Sequence, residues 1–112
     1  MKIAFTSKGT DLNSQVDPRF GRCEYIVVYN DEQDTVEVID NKDSSAEAHG
    51  AGPKTAQKIF NAKIDVVITG NGPGGNAATA LEKTGIKVFV GAGDKTIKDA
   101  LEAYKNNKLE QF

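Results

Sequence analysis

Two short apolar runs in the second half of the chain most constrain how it can fold. One covers residues 65–69 (DVVIT) and the other residues 86–90 (IKVFV). Nearly continuous apolar runs of this length are typical of strands that are covered on both faces. Between them, Ala77, Ala80 and Leu81 recur at helical spacing and predict a crossover helix. Two strands joined through such a helix are parallel, and the crossover is right-handed.

The first half of the chain has a different pattern, in which short strands are separated by loops and turns. Residues 2–6 predict a first strand, whereas residues 7–22, rich in glycine, aspartate, asparagine, serine and proline, predict a loop. Residues 24–30 and 35–39 flank an acidic turn and predict a hairpin. In its second arm we expect Val36 and Val38 to face the core, because they alternate with polar residues.

Three helices complete the predicted architecture. The first begins near Gly52, where the following proline suits a first helical turn. The second is the crossover helix, and the third begins after Thr96, which is placed as in a capping box. Residues 105–112 are polar, and we expect them to fray. The sequence thus predicts a single domain, residues 1–112, of the α/β class: three α/β/α layers around a mixed five-stranded sheet with one antiparallel hairpin member.

Composition limits the classes of function. The chain has a net charge of −2, so it is not strongly basic as nucleic-acid-binding proteins are. No apolar run approaches the roughly 18 residues that span a bilayer, so we expect no membrane partner. The single cysteine cannot form an internal disulfide, which favours a reducing, cytoplasmic setting. One cysteine and one histidine also exclude a self-contained four-ligand zinc site or an iron–sulfur site built from cysteine alone.

Glycine-rich segments follow the predicted parallel strands. Residues 70–76 follow one strand and residues 91–96 the next, while residues 48–52 precede the first helix. Ligands in open α/β sheets bind beyond the carboxyl ends of the strands, and helix N-termini attract anions. We therefore expect an anionic ligand at this edge of the sheet. The alternative is that these glycines serve only in turns and helix caps. The candidate binding residues in these segments are Gly50, Gly52, Gly70, Gly72, Gly74 and Asn76.

Four further side chains carry charge or metal-ligating atoms. Arg19 and Arg22 are suited to pairing with an anion, and the alternative is a solvated charged loop. His49 is the only histidine of the sequence and stands among small residues. It is a candidate for a metal contact or for proton transfer, and the alternative is a solvated loop histidine with neither role. Cys23 is either a buried small hydrophobe or, beside the two arginines, a metal ligand of lowered pKa.

Recognised catalytic motifs are missing from the sequence. It contains neither the G-x-S-x-G nor the H-E-x-x-H pattern. Residues 70–75 match G-x-G-x-x-G, the fingerprint of a dinucleotide-binding loop. We do not interpret them as one, because only one strand follows and because Pro73 removes an amide from the loop. A metal-dependent nuclease is also disfavoured, because the first strand carries no carboxylate.

Five segments stand in an order and spacing that resemble one known family. They are residues 16–25 (VDPRFGRCEY), Asn41 with residues 49–53 (HGAGP), residues 70–77 (GNGPGGNA), residues 85–88 (GIKV) and residues 96–101 (TIKDAL). The family is that of dinitrogenase iron–molybdenum cofactor biosynthesis, the cofactor-binding domain of NifX and NifB type. The resemblance covers almost the whole chain.

The resemblance implies a ribonuclease-H-like layering and a small cytoplasmic protein that is not an enzyme. It implies binding or carriage of an anionic metal–sulfur cluster: the iron–molybdenum cofactor, its precursor or a related iron–sulfur or molybdenum–sulfur cluster. Carried over by position, Arg22 and His49 contact the cluster and residues 70–76 line the site. Cluster-assembly or acceptor proteins are the implied partners. A phosphate- or nucleotide-binding regulatory module using the same edge is the alternative, and the oligomeric state stays open.

Overall fold

One mixed sheet organises the computed structural model, which describes residues 1–46 and 50–112. Over these residues the strands are β1 (Lys2–Ser7), β2 (Tyr25–Asn30), β3 (Thr35–Asp40), β4 (Val66–Ile68), β5 (Lys87–Val90) and β6 (Glu110–Gln111). They lie in the order β3-β2-β1-β4-β5-β6. The β1–β4 and β4–β5 pairs are parallel, and the other pairs are antiparallel. The α/β class, the mixed sheet and the parallel pair across a helix are confirmed.

The helices in the described ranges are α1 (Lys42–Ser45), α2 (Ala51–Asn61), α3 (Gly75–Thr84) and α4 (Ile97–Lys105). The last three correspond to the predicted helices. As expected, the Thr96 side chain caps α4, because its Oγ1 accepts a hydrogen bond from the Asp99 amide at 3.2 Å. The single turn of α1 has no apolar periodicity and was not predicted. None of the described helices is both long and apolar enough to cross a membrane.

The apolar core forms two clusters, and β1 contributes alternate residues to them. Ala4 belongs to a cluster with Ala56 of α2 and Leu81 of α3. Its neighbour Phe5 belongs to a second cluster, which includes Leu101 of α4. Because successive side chains of a strand point to opposite faces of the sheet, α2 and α3 pack on one face and α4 on the other. Each face of the central strands is thereby covered.

The predicted orientation of β3 is wrong. Val36 and Val38 are each 42% exposed, whereas Ile39 packs partly against the cluster beneath α2 and α3. β3 is an edge strand and pairs only with β2. The two valines lie on the same face as the α4 cluster but outside the area that α4 covers. Alternation therefore predicted which residues share a face and not which face is buried.

The predicted strand count and the fraying of residues 105–112 are also wrong. Glu110 and Gln111 form β6, which pairs antiparallel with β5. The Phe112 amide then donates a hydrogen bond to the Val88 carbonyl at 2.8 Å. Pairing at a sheet edge uses main-chain groups, so it needs no apolar pattern in the added strand. For this reason the polar composition of residues 105–112 did not indicate that a sixth strand forms there.

Candidate functional site

An open cavity of about 380 Å³ lies between the N-termini of α2 and α3. Its lining comes from three segments of the chain: Gly21 and Arg22 in the loop before β2, residues 50–53 where α2 begins, and residues 74–77 where α3 begins. Of the sequence-predicted binding residues, the structure thus brings together Arg22, Gly50, Gly52, Gly74 and Asn76. α3 begins at this edge because β4 delivers the chain there, and Gly50, the N-cap residue of α2, lines the same cavity.

Small residues allow the three segments to approach one another closely. A Cβ atom on Gly21 would lie 2.6 Å from the Gly52 nitrogen and 2.8 Å from its Cα. A Cβ atom on Gly52 would in turn lie 3.2 Å from that of Ala77. The loop therefore packs directly on α2, and α2 packs on α3. Sequence reasoning missed Gly21 as a determinant of the site, although its position between two arginines was a usable signal.

Neither helix N-terminus at the cavity is capped by a side chain from residues 1–46 or 50–112. The N-cap residues are Gly50 for α2 and Gly74 for α3, and neither helix has a side-chain cap hydrogen bond, in contrast to α4. The first amides of a helix have no partner within the helix and carry a partial positive charge. Residues of both first turns line the cavity. An anion placed there can accept hydrogen bonds from first-turn amides that no described side chain caps.

Arg22 adds a full positive charge to the lining. Its Nη1 donates a hydrogen bond to the Ser45 carbonyl at 3.1 Å, which ties the guanidinium to the end of α1. α1 is held on α2 by Asp43, which forms ion pairs with Lys54 and Lys58. The hydrogen bond from Lys58 lowers the pKa of the Asp43 carboxyl to about 2, so this carboxylate is charged at neutral pH. α1 thus positions the arginine beside the cavity.

The buried side chain of Asn41 connects the cavity-lining loop to α2. Its Nδ2 donates hydrogen bonds to the Cys23 carbonyl at 2.9 Å and to Thr55 Oγ1 at 3.0 Å. Its Oδ1 accepts from Lys58 Nζ at 3.0 Å. The Thr55 hydroxyl donates to the Gly21 carbonyl at 3.3 Å. Buried polar groups that are fully paired make a rigid connection, so Asn41 has a positioning role that the sequence showed only through the resemblance.

Arg19 lies outside the cavity lining and pairs with the protein instead. Its Nε and Nη2 donate to the two carboxylate oxygens of Asp17 at 3.1 and 3.0 Å. The Asp17 side chain is 1% exposed. Burial alone would raise the pKa of this carboxyl, but the hydrogen bonds from Arg19 outweigh it and lower that pKa. The anion that Arg19 binds in this structure is therefore internal, and a contact with a ligand stays a prediction.

Cys23 is buried in the core cluster beneath α2 and α3. Its Sγ donates a hydrogen bond to the Phe20 carbonyl at 3.3 Å. Burial raises the pKa of the thiol to about 11, so the group is protonated at neutral pH. Metal ligation requires a thiolate, and neither the burial nor the protonation of Cys23 suits that role. Its ligation stays a prediction without structural support.

Gly70 and Gly72 serve close packing away from the cavity. A Cβ atom on Gly70 would lie 2.5 Å from the Cα of Pro18 and 3.0 Å from that of Gly93. A Cβ atom on Gly72 would lie 1.9 Å from Cε1 of Phe112. The 70–76 segment is therefore divided: its first part packs against other loops, and its last part, from Gly74 onwards, lines the cavity.

His49, predicted as a cluster and metal contact, lies outside the described residues. Within residues 1–46 and 50–112, no group of three or more histidine, cysteine or acidic side chains is placed to hold a metal ion. The described part of the site is therefore suited to an anion, which it can hold by main-chain amides, two helix N-termini and one arginine.

Comparison with known proteins places the chain in a wider group. The family model described as dinitrogenase iron–molybdenum cofactor matches residues 1–107. An uncharacterized protein of Methanocaldococcus jannaschii is 31% identical over 104 residues, which is 89% of this chain and 85% of that protein.

Two solved structures have the same fold at higher than 30% identity. The apo form of the orange protein from Desulfovibrio gigas superposes with a TM-score of 0.94 at 33% identity, covering 99% of this chain and 92% of that one. A Thermotoga protein solved by NMR, and named as a candidate NifB protein, superposes with a TM-score of 0.84 at 37% identity, covering 98% and 91%.

Proposed function

Because the chain belongs to the dinitrogenase iron–molybdenum cofactor family, we propose that it binds and carries an anionic metal–sulfur cluster as an accessory protein of cluster assembly. The cargo is the iron–molybdenum cofactor, its precursor or a related iron–sulfur or molybdenum–sulfur cluster. The observation that carries the proposal is the cavity between the uncapped N-termini of α2 and α3, with Arg22 in its lining. The likeness to a candidate NifB protein supports it.

The chemistry of the cavity suits a cargo that must be released again. Helix N-termini stabilise an anion by about 0.3–1 kcal/mol each, and amide donors satisfy the acceptor sulfurs of a cluster. Arg22 adds a charge-assisted contact. We propose His49, rather than the buried Cys23, as the side chain that ligates a metal of the cluster. Few protein ligands allow transfer of the cluster to an acceptor protein.

Several broader features belong to the same proposal. Residues 1–112 act as a single domain, whose helices on both faces of the sheet support a three-layer, ribonuclease-H-like arrangement. The protein has no catalytic activity of its own and exchanges its cargo with assembly or acceptor proteins. It works in the cytoplasm, since its free cysteine and an oxygen-sensitive cargo both suit a reducing compartment.

An anaerobic titration with a preformed iron–molybdenum–sulfur cluster tests the function. Visible absorbance and metal content would be measured after gel filtration. We expect stoichiometric co-elution with the wild-type protein. Arg22→Ala should weaken binding about 10-fold or more, because a hydrogen bond from a charged group contributes roughly 1.5–3 kcal/mol. Lys98→Ala is the matched control: it removes one exposed positive charge on α4 and should leave affinity unchanged.

Further arms of the titration separate the possible ligands. His49→Ala should weaken cluster binding if the imidazole ligates a metal. The proposal would be abandoned if no iron–sulfur, molybdenum–sulfur or iron–molybdenum–sulfur cluster co-eluted with the wild-type protein. Binding of inorganic phosphate or a nucleotide in place of the clusters, with dependence on Arg22, would identify a regulatory module instead.

A further inference from the structure

The aromatic ring of Phe112 lies directly on the main chain of Gly72. A Cβ atom added to Gly72 would be 1.9 Å from Cε1, 2.4 Å from Cδ1 and 2.9 Å from Cζ of that ring. Only a residue without a side chain allows this contact. The contact joins the segment after β6 to the glycine-rich loop after β4, two regions that are about forty residues apart in the chain.

The segment that carries Phe112 is fixed to the sheet. β6 pairs with β5, with Glu110 opposite Val90 and Gln111 opposite Phe89. The Phe112 amide donates to the Val88 carbonyl at 2.8 Å. These main-chain hydrogen bonds place the ring over the loop without any requirement for burial, and 60% of Phe112 remains exposed.

The loop beneath the ring leads directly into the cavity. The Asn71 amide donates to the Pro18 carbonyl at 2.8 Å, which fixes the beginning of the loop. Gly72 follows, and only Pro73 separates it from Gly74, the N-cap residue of α3. A second cavity of about 400 Å³ is lined by Pro73 of this loop and by residues of α3, β5 and β6. Phe112 thus contacts the loop at the margin of an open space.

We propose that Phe112 is a positioning residue, which holds the 70–74 loop so that the N-terminus of α3 remains in the wall of the candidate cluster site. The inference rests on the proposed function for its effect on binding, but the contact itself can be tested without any cargo. Loss of the ring should allow the loop and the first turn of α3 to open locally, which would disperse the amide donors of the site.

Hydrogen exchange followed by NMR tests the contact. Phe112→Ala should accelerate exchange of the Asn71 and Ala78 amides about 10-fold or more, since these amides donate to Pro18 and Gly74. The Ala100 amide, in α4, should be unaffected. Phe60→Ala is the matched control, because Phe60 is also exposed, at 53%, but lies on α2. Phe112→Tyr, which keeps the ring, should restore wild-type exchange.

A second pair of variants isolates the interaction between the ring and the loop. Gly72→Ala places a methyl group where the ring lies, so it should displace the ring and accelerate exchange as Phe112→Ala does. The double variant should then resemble either single variant. Additive effects in the double variant, or unchanged exchange in Phe112→Ala, would show that Phe112 does not position the loop.

The cluster titration then connects the contact to the site. Phe112→Ala should lower cluster affinity at least about 5-fold, and Phe112→Tyr should recover it. Faster exchange with unchanged affinity would overturn the link between Phe112 and the site. If the wild-type protein binds no cluster, the proposed function fails, and the exchange experiment still decides whether Phe112 holds the loop.

Discussion

Gly21, Gly52 and Ala77 decide how closely the three cavity-lining segments approach. Each contact involves main-chain atoms or a Cβ atom, which cannot move aside as the end of a long side chain can. The geometry of the cavity therefore depends on the absence of side-chain atoms as much as on Arg22. Sequence reasoning counted the glycines after the strands as candidate binding residues and left out Gly21, which lies between the two arginines.

Gly21→Ala should destabilise the fold. The new methyl group would lie 2.6 Å from the Gly52 nitrogen, so the loop and α2 must separate. We expect the free energy of unfolding in urea to fall by about 1–3 kcal/mol. Gly75→Ala is the control, since its Cβ meets nothing within 4 Å and alanine is favourable within a helix, so this variant should be no less stable than wild type. Equal stability of Gly21→Ala and wild type would contradict close packing of Gly21 on the main chain of Gly52.

Cys23 should react slowly with thiol reagents. Burial raises its pKa from 9.0 to about 11, so the thiolate fraction at pH 7.5 falls about 100-fold, and access is also blocked. Alkylation by iodoacetamide in the native protein should be slower by at least this factor than in urea. Rapid native alkylation would place the thiol at the surface and return it to the candidate ligands.

The same burial makes stability depend on alkaline pH. The neutral thiol is favoured in the folded protein, so its contribution is fully present below about pH 9 and is lost as the pH rises towards about 11. Denaturation curves of the wild-type protein, measured from about pH 8 to about pH 11, should show this loss of stability. The variant Cys23→Ala should lack that component of the pH dependence, and an identical pH dependence in both proteins would argue against a buried thiol.

At the scale of the elements, α3 and α4 begin in different ways. Thr96 caps α4 with a side-chain hydrogen bond, whereas α3 begins at Gly74 without one. An N-cap side chain would occupy the amides that the proposed site offers to an anion. α3, which begins at the cavity, thus lacks the side-chain cap that stabilises α4. This difference is expected where a ligand binds to the helix N-terminus.

Gly74→Asp should raise the stability of the fold and lower the affinity for the cluster. The Gly74 backbone has φ −64° and ψ 168°, which an N-cap aspartate readily adopts. Its carboxylate would cap α3 and should raise the free energy of unfolding by about 0.3–1 kcal/mol. It would also repel an anionic cluster, so affinity should fall about 10-fold or more. Gly74→Asn, which caps without charge, should lose less affinity. Unchanged affinity in Gly74→Asp would place the cargo elsewhere.

The edge strands show which elements sequence patterns describe poorly. β3 alternates as a half-buried strand should, yet Val36 and Val38 are exposed because α4 does not extend over the edge of the sheet. β6 has no apolar pattern and still joins the sheet through main-chain pairing. The central strands were predicted well because both of their faces are buried, so their composition itself records the environment.

On the scale of the whole molecule, the two core clusters share the central strand. Ala4 packs on one face and Phe5 on the other, so disruption of β1 removes both clusters together. The cavity lies above the carboxyl ends of the parallel strands and is built from loops anchored in this core. We therefore expect the protein to unfold as one cooperative unit.

Core truncations on the two faces should have similar consequences. Leu81→Ala and Leu101→Ala each remove buried methyl groups, one beneath α3 and one beneath α4. Each should lower the free energy of unfolding by about 2–4 kcal/mol. Circular dichroism and hydrogen exchange should report one coincident transition in both variants. Separate transitions for the two faces would contradict a shared central strand.

The sequence by itself determined the α/β class, the parallel strands, three helices and the Thr96 cap, and it predicted glycine-rich segments at one sheet edge. These features follow from local periodicity and from the topology that periodicity imposes. Only the tertiary structure decided that Arg19 pairs with Asp17, that Gly72 packs against Phe112 and that Cys23 is buried and protonated. Those outcomes depend on which distant segment lies within a few ångströms of a residue, and local composition carries no record of that distance.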